Sequence, residues 1–373
     1  MRFFLILAVL VLCLSCCPAL AEAPSSLPEG EAFPQGTLAD DPYLVSLSES
    51  SFEAYDFPQN YLYIAAGSRG HVEQIDYITR STVFPENVNA GTSSGGSSGG
   101  SSGGTTAVVS DDSEKEKFVM AYLPPGYDDS DGPYNILYLI NGSSMGPKDY
   151  LNPDRPTMLQ NLLDHMIEDG LLKPLIVVAA SFYPPNGSVQ SLSLTDQVEY
   201  TAVFPYEMVE ELIPQVEVQL KTYAASASLE DIVVSRDHRG VTGFSLGGVA
   251  AWYIFLQQMQ AFRWYLPISE ASWDDGEGGT SGIYDSDVSA QVLYTAVKQQ
   301  GYGKDDFMLF VATGSNDTAF EVSMNQMKSL LVYDDLFVPG ENTSCSMMNN
   351  GTHTDDALYT YVYYLFPSLF AEP

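Results

Sequence analysis

Cysteine, basic residues and histidine are all scarce in this 373-residue sequence, and each scarcity removes a class of explanation. Of the four cysteines, Cys13, Cys16 and Cys17 crowd the amino terminus, and only Cys345 lies beyond it. A chain cleaved after residue 21 would keep one thiol, so it could form no intramolecular disulfide. Exported proteins without disulfides fit a bacterial source better than an animal one. Lys and Arg total 15 against 48 Asp and Glu, a formal net charge of −33. Such a surface repels phosphate backbones and polyanions, which excludes nucleic acid as a partner and leaves neutral substrates. Four histidines leave only four candidates for an imidazole base. The apolar run at 3–14 is too short to span a bilayer.

That run follows Arg2 and precedes Ala19-Leu20-Ala21, a small-x-small cleavage site. Residues 1–21 therefore read as a signal peptide, and the mature protein as secreted, to the periplasm or beyond. A lipid anchor through Cys16 or Cys17 is disfavoured by the residues before them. Three N-x-Ser/Thr sequons begin at Asn141, Asn316 and Asn350, each beside a residue singled out below. Glycans there would obstruct the site, so a host that leaves sequons bare is the simpler expectation.

With 45% apolar and 12% aromatic residues the chain can bury a core, and it is not a disordered polymer. Residues 22–60, rich in Pro, Gly, Ser and acids, read as a tether, with marginal strands at Tyr43-Leu44-Val45 and Tyr61-Leu62-Tyr63-Ile64. Residues 61–373 read as one domain. Alternating residues at 72–78 and 117–123 predict two hairpin partners. The Gly/Ser repeats between them, within 91–106, read as a flexible loop inside that domain. Beyond, short apolar strands are predicted at 136–140, 175–180, 240–243, 264–268 and 307–312. Amphipathic helices are predicted at 157–168, 206–220 (kinked by Pro214), 247–260, 323–332 and 355–370. This alternation implies an α/β protein: a mainly parallel sheet, antiparallel at its amino-terminal edge, with helices on both faces.

Gly243-Phe244-Ser245-Leu246-Gly247-Gly248 lies between the strand at 240–243 and the helix at 247–260, and it matches the nucleophile elbow G-x-S-x-G. A serine in that sharp turn needs small residues on either side. The turn lifts its hydroxyl above the strand ends and leaves the next amide at a helix amino terminus, where it can meet an oxyanion. In this arrangement the acid and the histidine follow the serine in the chain. His71, His165 and His238 precede Ser245; only His353 follows it. For the acid, Asp317 comes after the strand at 307–312, with Asp274 and Asp275 as alternatives. The second oxyanion amide is expected in the loop after 136–140, from Gly142 or Ser143, beside that of Leu246.

Taken in order, Tyr122-Leu123-Pro124-Pro125-Gly126-Tyr127, Tyr134 to Gly142, Gly243 to Gly248, Gly314 to Asp317 and Gly351 to His353 resemble the esterase D / feruloyl esterase group, carbohydrate esterase family one. The resemblance spans roughly 68–370 and is nearest to secreted bacterial enzymes acting on xylan side-chain esters. It implies an α/β-hydrolase fold, hydrolysis of feruloyl or acetyl esters on a polysaccharide or oligosaccharide, no metal and no organic cofactor. It also supports Ser245, Asp317 and His353 as a triad. Where the family has His-Gly, this chain has Asn141-Gly142. Ser269-Glu270-Ala271-Ser272-Trp273 replaces a glycine-containing turn, and Trp273 is a candidate wall of the acyl pocket, stacking on a phenolic ring. The same triad could serve acyl transfer or siderophore-ester cleavage. A degenerate carbohydrate-binding surface protein is the non-enzymatic alternative, against which the intact Ser–Asp–His order argues.

Overall fold

The computed structural model describes residues 50–80, 114–185 and 193–371. The expected signal peptide at 1–21, most of the expected 22–60 tether with Tyr43-Leu44-Val45, and the expected flexible loop at 91–106 lie outside these residues.

Nine strands form one sheet: β1 (Ser50–Glu53), β2 (His71–Thr79), β3 (Lys115–Leu123), β4 (Ile136–Ile140), β5 (Ile176–Ala180), β6 (Arg239–Phe244), β7 (Trp264–Ile268), β8 (Met308–Gly314) and β9 (Thr343–Asn349). Their spatial order is β1-β9-β8-β7-β6-β4-β5-β3-β2. All neighbours are parallel except β5–β3 and β3–β2, so the predicted hairpin is the antiparallel edge. The main helices are α1 (Asn60–Tyr63), α2 (Pro147–Tyr150), α3 (Met158–Glu168), α4 (Leu194–Glu207), α5 (Ile213–Glu217), α6 (Leu229–Val234), α7 (Leu246–Gln257), α8 (Ser286–Gln299), α9 (Phe320–Leu330) and α10 (Ala357–Leu365).

Every residue of β4 and β5 is buried, because helices cover the sheet on both sides. Side chains alternate between two cores. Ile136, Tyr138 and Ile140 join a cluster with α4, α7, α8 and α9, whereas Leu137 and Leu139 join one with α3 and α10. The edge hairpin is clamped to α4 by Glu207, whose carboxylate accepts the Tyr77 hydroxyl at 2.5 Å and the Lys117 ammonium at 2.6 Å.

Several elements differ from the sequence reading. The tether expected to run to residue 60 already contains β1, which pairs in parallel with β9 and buries Phe52. Four residues with one apolar side chain carry no detectable period, so only the partner strand defines them. Tyr61-Leu62-Tyr63-Ile64 is a helical turn rather than a strand. The helix expected at 206–220 begins at 194, under a Ser193 cap. It widens into a turn of i→i+5 bonds at 208–212 and runs straight on into α5, so the wide turn lies immediately before Pro214, which has no N–H to give an earlier carbonyl. Finally, α8 and β9 were not anticipated. Thr343, Ser344 and Ser346 conceal β9 among polar residues, although Cys345, Met347 and Met348 are buried.

Candidate active site

Parallel strands deliver their following loops to one edge of the sheet, and each loop brings one piece of the site. Gly243 on β6 pairs with Ile140 on β4, Phe244 with Ile268 on β7, Ile268 with Ala312 on β8, and Gly314 with Met348 on β9. Of the six non-glycine residues with positive φ among those described, Ser144, Ser245, Ser269 and Asn350 lie just after β4, β6, β7 and β9. Backbone strain is thus concentrated at this edge, where surrounding contacts over-determine it.

Ser245 caps α7 with φ 58° and ψ −126°. Its amide donates to the Ile268 carbonyl at 3.0 Å. The tightness of this turn fixes its neighbours: a Cβ on Gly247 would lie 2.2 Å from the Ile140 carbonyl oxygen, and one on Gly243 would lie 2.4 Å from the Gly247 carbonyl carbon. The Ser245 hydroxyl is 2.8 Å from Nε2 of His353, and Nδ1 of His353 is 2.7 Å from Oδ1 of Asp317. The structure therefore joins the three residues into one hydrogen-bonded line. The same Asp317 oxygen accepts the Ala319 amide at 2.7 Å.

Asp317 and His353 meet because their loops are tied together. The amides of Ser315 and Asn316 donate to the carbonyls of Met348 and Gly351, and the Asn350 amide donates to Oγ of Ser315. The two loops touch at glycines: a Cβ on Gly314 would fall 2.4 Å from the Gly351 carbonyl oxygen. On the other side, Glu53 of β1 accepts the side-chain amides of Asn349 and Asn350. The amino-terminal strand thus braces the histidine loop. Asp274 and Asp275 do not compete for the imidazole. Asp274 accepts the Gly276 amide, and Asp275 accepts the amides of Glu277, Gly279 and Ser281. His238 lies at the opposite end of β6, bonded to Asn135, and His165 stacks on Tyr61.

Leu246 is the first residue of α7, so its N–H has no acceptor within the helix. Across from it, the β4 loop comes close to the serine: a Cβ on Gly142 would sit 3.8 Å from Cβ of Ser245. The Gly142 amide donates to the Tyr150 hydroxyl at 3.3 Å. The loop is held further by Oγ of Ser143 on Oε1 of Gln197, by the Ser144 amide on the Tyr183 hydroxyl, and by the Asn141 side-chain amide on the Gly142 carbonyl. Trp273 is 8% exposed and belongs to the core on the α7 face. Its indole N–H is directed at the Glu270 carboxyl but completes no hydrogen bond of normal geometry.

Glu270, Tyr150, Tyr183 and Gln197 were not singled out as site residues in the sequence. The only signal was Glu270 standing in a turn that usually carries glycine. Burial pushes the Glu270 carboxyl above the usual glutamate range. Burial also works against protonation of His353, but Asp317, through its hydrogen bond and charge, together with Glu270 and Asp355, outweighs that and raises the imidazole. A base must be neutral to accept a proton, so activity should fall as pH drops through a value above the ordinary histidine figure of about 6.5. The linked stability has the opposite direction: the protonated imidazole stabilises the fold below that range, and the contribution is lost as pH rises through the folded-state value. Glu270→Gln removes one of the charges facing His353. It is expected to move the acid limb of kcat/KM to lower pH, measured from about pH 5 to 9; an unmoved limb would show that Glu270 has no purchase on the base.

Fold and site together have the construction of an α/β-hydrolase: a serine elbow, a carboxylate and an imidazole on the loops after β6, β8 and β9 of a parallel sheet. The Esterase family matches residues 110–336, and the chain belongs to it. Residues of this chain are 34% identical over 222 positions to endo-1,4-beta-xylanase Y of Acetivibrio thermocellus, covering 58% of the chain but only 18% of that much longer protein. Among solved structures, it is similar to a serine-to-alanine mutant of the feruloyl esterase module from Clostridium thermocellum complexed with sinapinate. That likeness has 25% identity and a TM-score of 0.66, over 87% of this chain and 96% of the module. A CE1 ferulic acid esterase from the anaerobic fungus Anaeromyces mucronatus shares the fold, with 15% identity, a TM-score of 0.58, and coverage of 84% and 96%. These matches agree with the resemblance to the feruloyl esterase group of carbohydrate esterase family one carried by the motifs of this chain.

Proposed function

We propose that the protein hydrolyses hydroxycinnamoyl esters, feruloyl above all, on plant cell-wall xylan, outside the cell that makes it. The observation that carries this reading is the line from Ser245 through His353 to Asp317 in a fold shared with a sinapinate-binding esterase module. His353 takes the Ser245 proton as the oxygen attacks the ester carbonyl. The charge on the carbonyl oxygen is met by the amide of Leu246 and, because the Gly142 amide is engaged by Tyr150, by that of Ser143 rather than Gly142. His353 then gives that proton to the sugar oxygen as its bond to the acyl carbon breaks, and Asp317 holds the imidazole in the right tautomer throughout. Water repeats the sequence to release the acid. A strongly acidic chain is compatible with an uncharged polysaccharide ester and repels polyanions. The Arg2, 3–14 and Ala19-Leu20-Ala21 pattern supports export.

Side-by-side assays of methyl ferulate and acetylated xylan test the acyl group. Hydrolysis of methyl ferulate with little release of acetate is the expected result. Acetate release alone would assign a small acyl pocket instead, and transfer of the acyl group to an added sugar would assign a transferase.

A further inference from the structure

The oxyanion loop contains a phenol whose proton lacks a good partner. Tyr150 closes α2, eight residues after Gly142, and its side chain is 4% exposed. Its oxygen accepts the Gly142 amide at 3.3 Å. Its own O–H reaches only the thioether sulfur of Met145, at 3.4 Å. Sulfur is a weak acceptor, and a buried tyrosine hydroxyl ordinarily finds oxygen or nitrogen. Rotation about the C–O bond can redirect the proton at little cost. The hydroxyl lies on the same glycine as the serine: the point a Cβ of Gly142 would occupy is 4.0 Å from the phenol oxygen and 3.8 Å from Cβ of Ser245.

We propose that the Tyr150 hydroxyl is a third donor to the oxyanion, beside the amides of Leu246 and Ser143. The proposal rests on the reading of Ser245 as the nucleophile of ester hydrolysis. When the substrate carbonyl oxygen gains charge, the O–H turns from Met145 sulfur to that oxygen. The Gly142 amide, already donating to the phenol oxygen, polarises the O–H and strengthens its bond to the anion. No proton is transferred. Burial, the largest influence, holds the phenol far above its ordinary range, with the charges of Asp355 and Asp149 adding to it, so the group remains a neutral donor wherever His353 can act as base. The Gly142 amide, engaged by the phenol oxygen, acts through this hydroxyl.

Tyr150→Phe keeps the ring and removes the donor. It is expected to lower kcat by roughly 10- to 1000-fold with little change in KM, the range for loss of one oxyanion donor. A trifluoromethyl ketone analogue, whose hemiketal oxygen occupies the hole, should lose affinity by the same factor, while inhibition by the product carboxylate stays the same. Replacing Tyr150 by 2,3-difluorotyrosine separates donation from mere bracing of the loop and serves equally if the phenylalanine variant unfolds. Fluorine makes the hydroxyl a better donor and a poorer acceptor. A donor role predicts that kcat holds or rises; a role limited to accepting the Gly142 amide predicts a fall, and that fall would overturn the proposal. So would a Tyr150→Phe enzyme within about twofold of the parent in kcat. Hydrolysis that survives Ser245→Ala would instead overturn the nucleophile, and with it the oxyanion that Tyr150 is proposed to meet.

Discussion

Ser245→Ala is expected to lower kcat on any ester substrate by about 10⁶-fold, equivalent to about 8 kcal/mol of transition-state stabilisation. The hydroxyl is the only group in the aligned set that can form the acyl bond, and neither His353 nor the oxyanion amides can substitute for it. The residual rate should reflect those amides and substrate binding alone. Labelling by a fluorophosphonate should vanish in parallel. Folding should be almost unaffected, because alanine fits the same space and the hydroxyl bonds only to His353 among the described residues. The backbone strain is a separate matter. At φ 58° and ψ −126° an alanine is strained as serine is, whereas glycine is not. Ser245→Gly should therefore be more stable than Ser245→Ala by about 1–3 kcal/mol, while being equally inactive. Turnover by the alanine variant within tenfold of the parent would remove Ser245 from the mechanism; equal stability of the two variants would show that the turn stores no strain.

Glu217→Ala is expected to have the largest effect on stability, about 3–5 kcal/mol, through the charge it leaves behind. Arg239 opens β6 with its side chain 1% exposed. Its Nε and Nη2 donate to the two carboxylate oxygens of Glu217 at 2.7 and 2.8 Å, and its other N–H groups reach the carbonyls of Ile232 and Ala261 and the hydroxyl of Ser235. Tyr138 also donates to Glu217, at 2.9 Å. Removing the carboxylate strands a guanidinium and a phenol in an apolar interior. A loss of that size is a large share of the 5–15 kcal/mol typical of a domain, and urea unfolding would register it. This pair sits at the amino end of the strand that carries Ser245 at its other end. The folded fraction of the variant should therefore retain kcat, which separates a fold effect from a site effect. Replacing both residues by apolar ones of similar volume should cost less than the single change, since no unpaired charge remains. A single variant as stable as the parent would mean that water or another group already compensates Arg239.

Much of the site was legible because its signals are local. The elbow is a short-range steric problem, and the glycines at 243 and 247 solve it within five residues; their clashing distances in the folded chain are the cause of the motif. The strands at 136–140 and 264–268 coincide with β4 and β7 because fully buried strands are continuously apolar. His353 was reached by elimination, which only a histidine-poor sequence permits. By contrast, β9 and β1 were invisible. β9 carries the histidine loop yet is rich in serine and threonine, and β1 is four residues long; both are strands because a neighbour supplies their hydrogen bonds. Glu270 and Tyr150 were passed over for a related reason. A glutamate in a loop and a tyrosine after a turn have no periodic or motif signature, and their chemistry comes from what burial and loop closure place beside them.

The amino-acid sequence by itself determined the α/β class, the order of most strands and helices, the serine turn and the only histidine able to follow it. These depend on interactions between residues a few positions apart, or on composition. The tertiary structure alone decided that Asp317 rather than Asp274 or Asp275 faces the imidazole, that an amino-terminal strand braces the histidine loop, and that the Gly142 amide is spent on a phenol. Each of these joins loops at the ends of different strands, and the distance between such loops is set by sheet register and core packing rather than by any pattern along the chain.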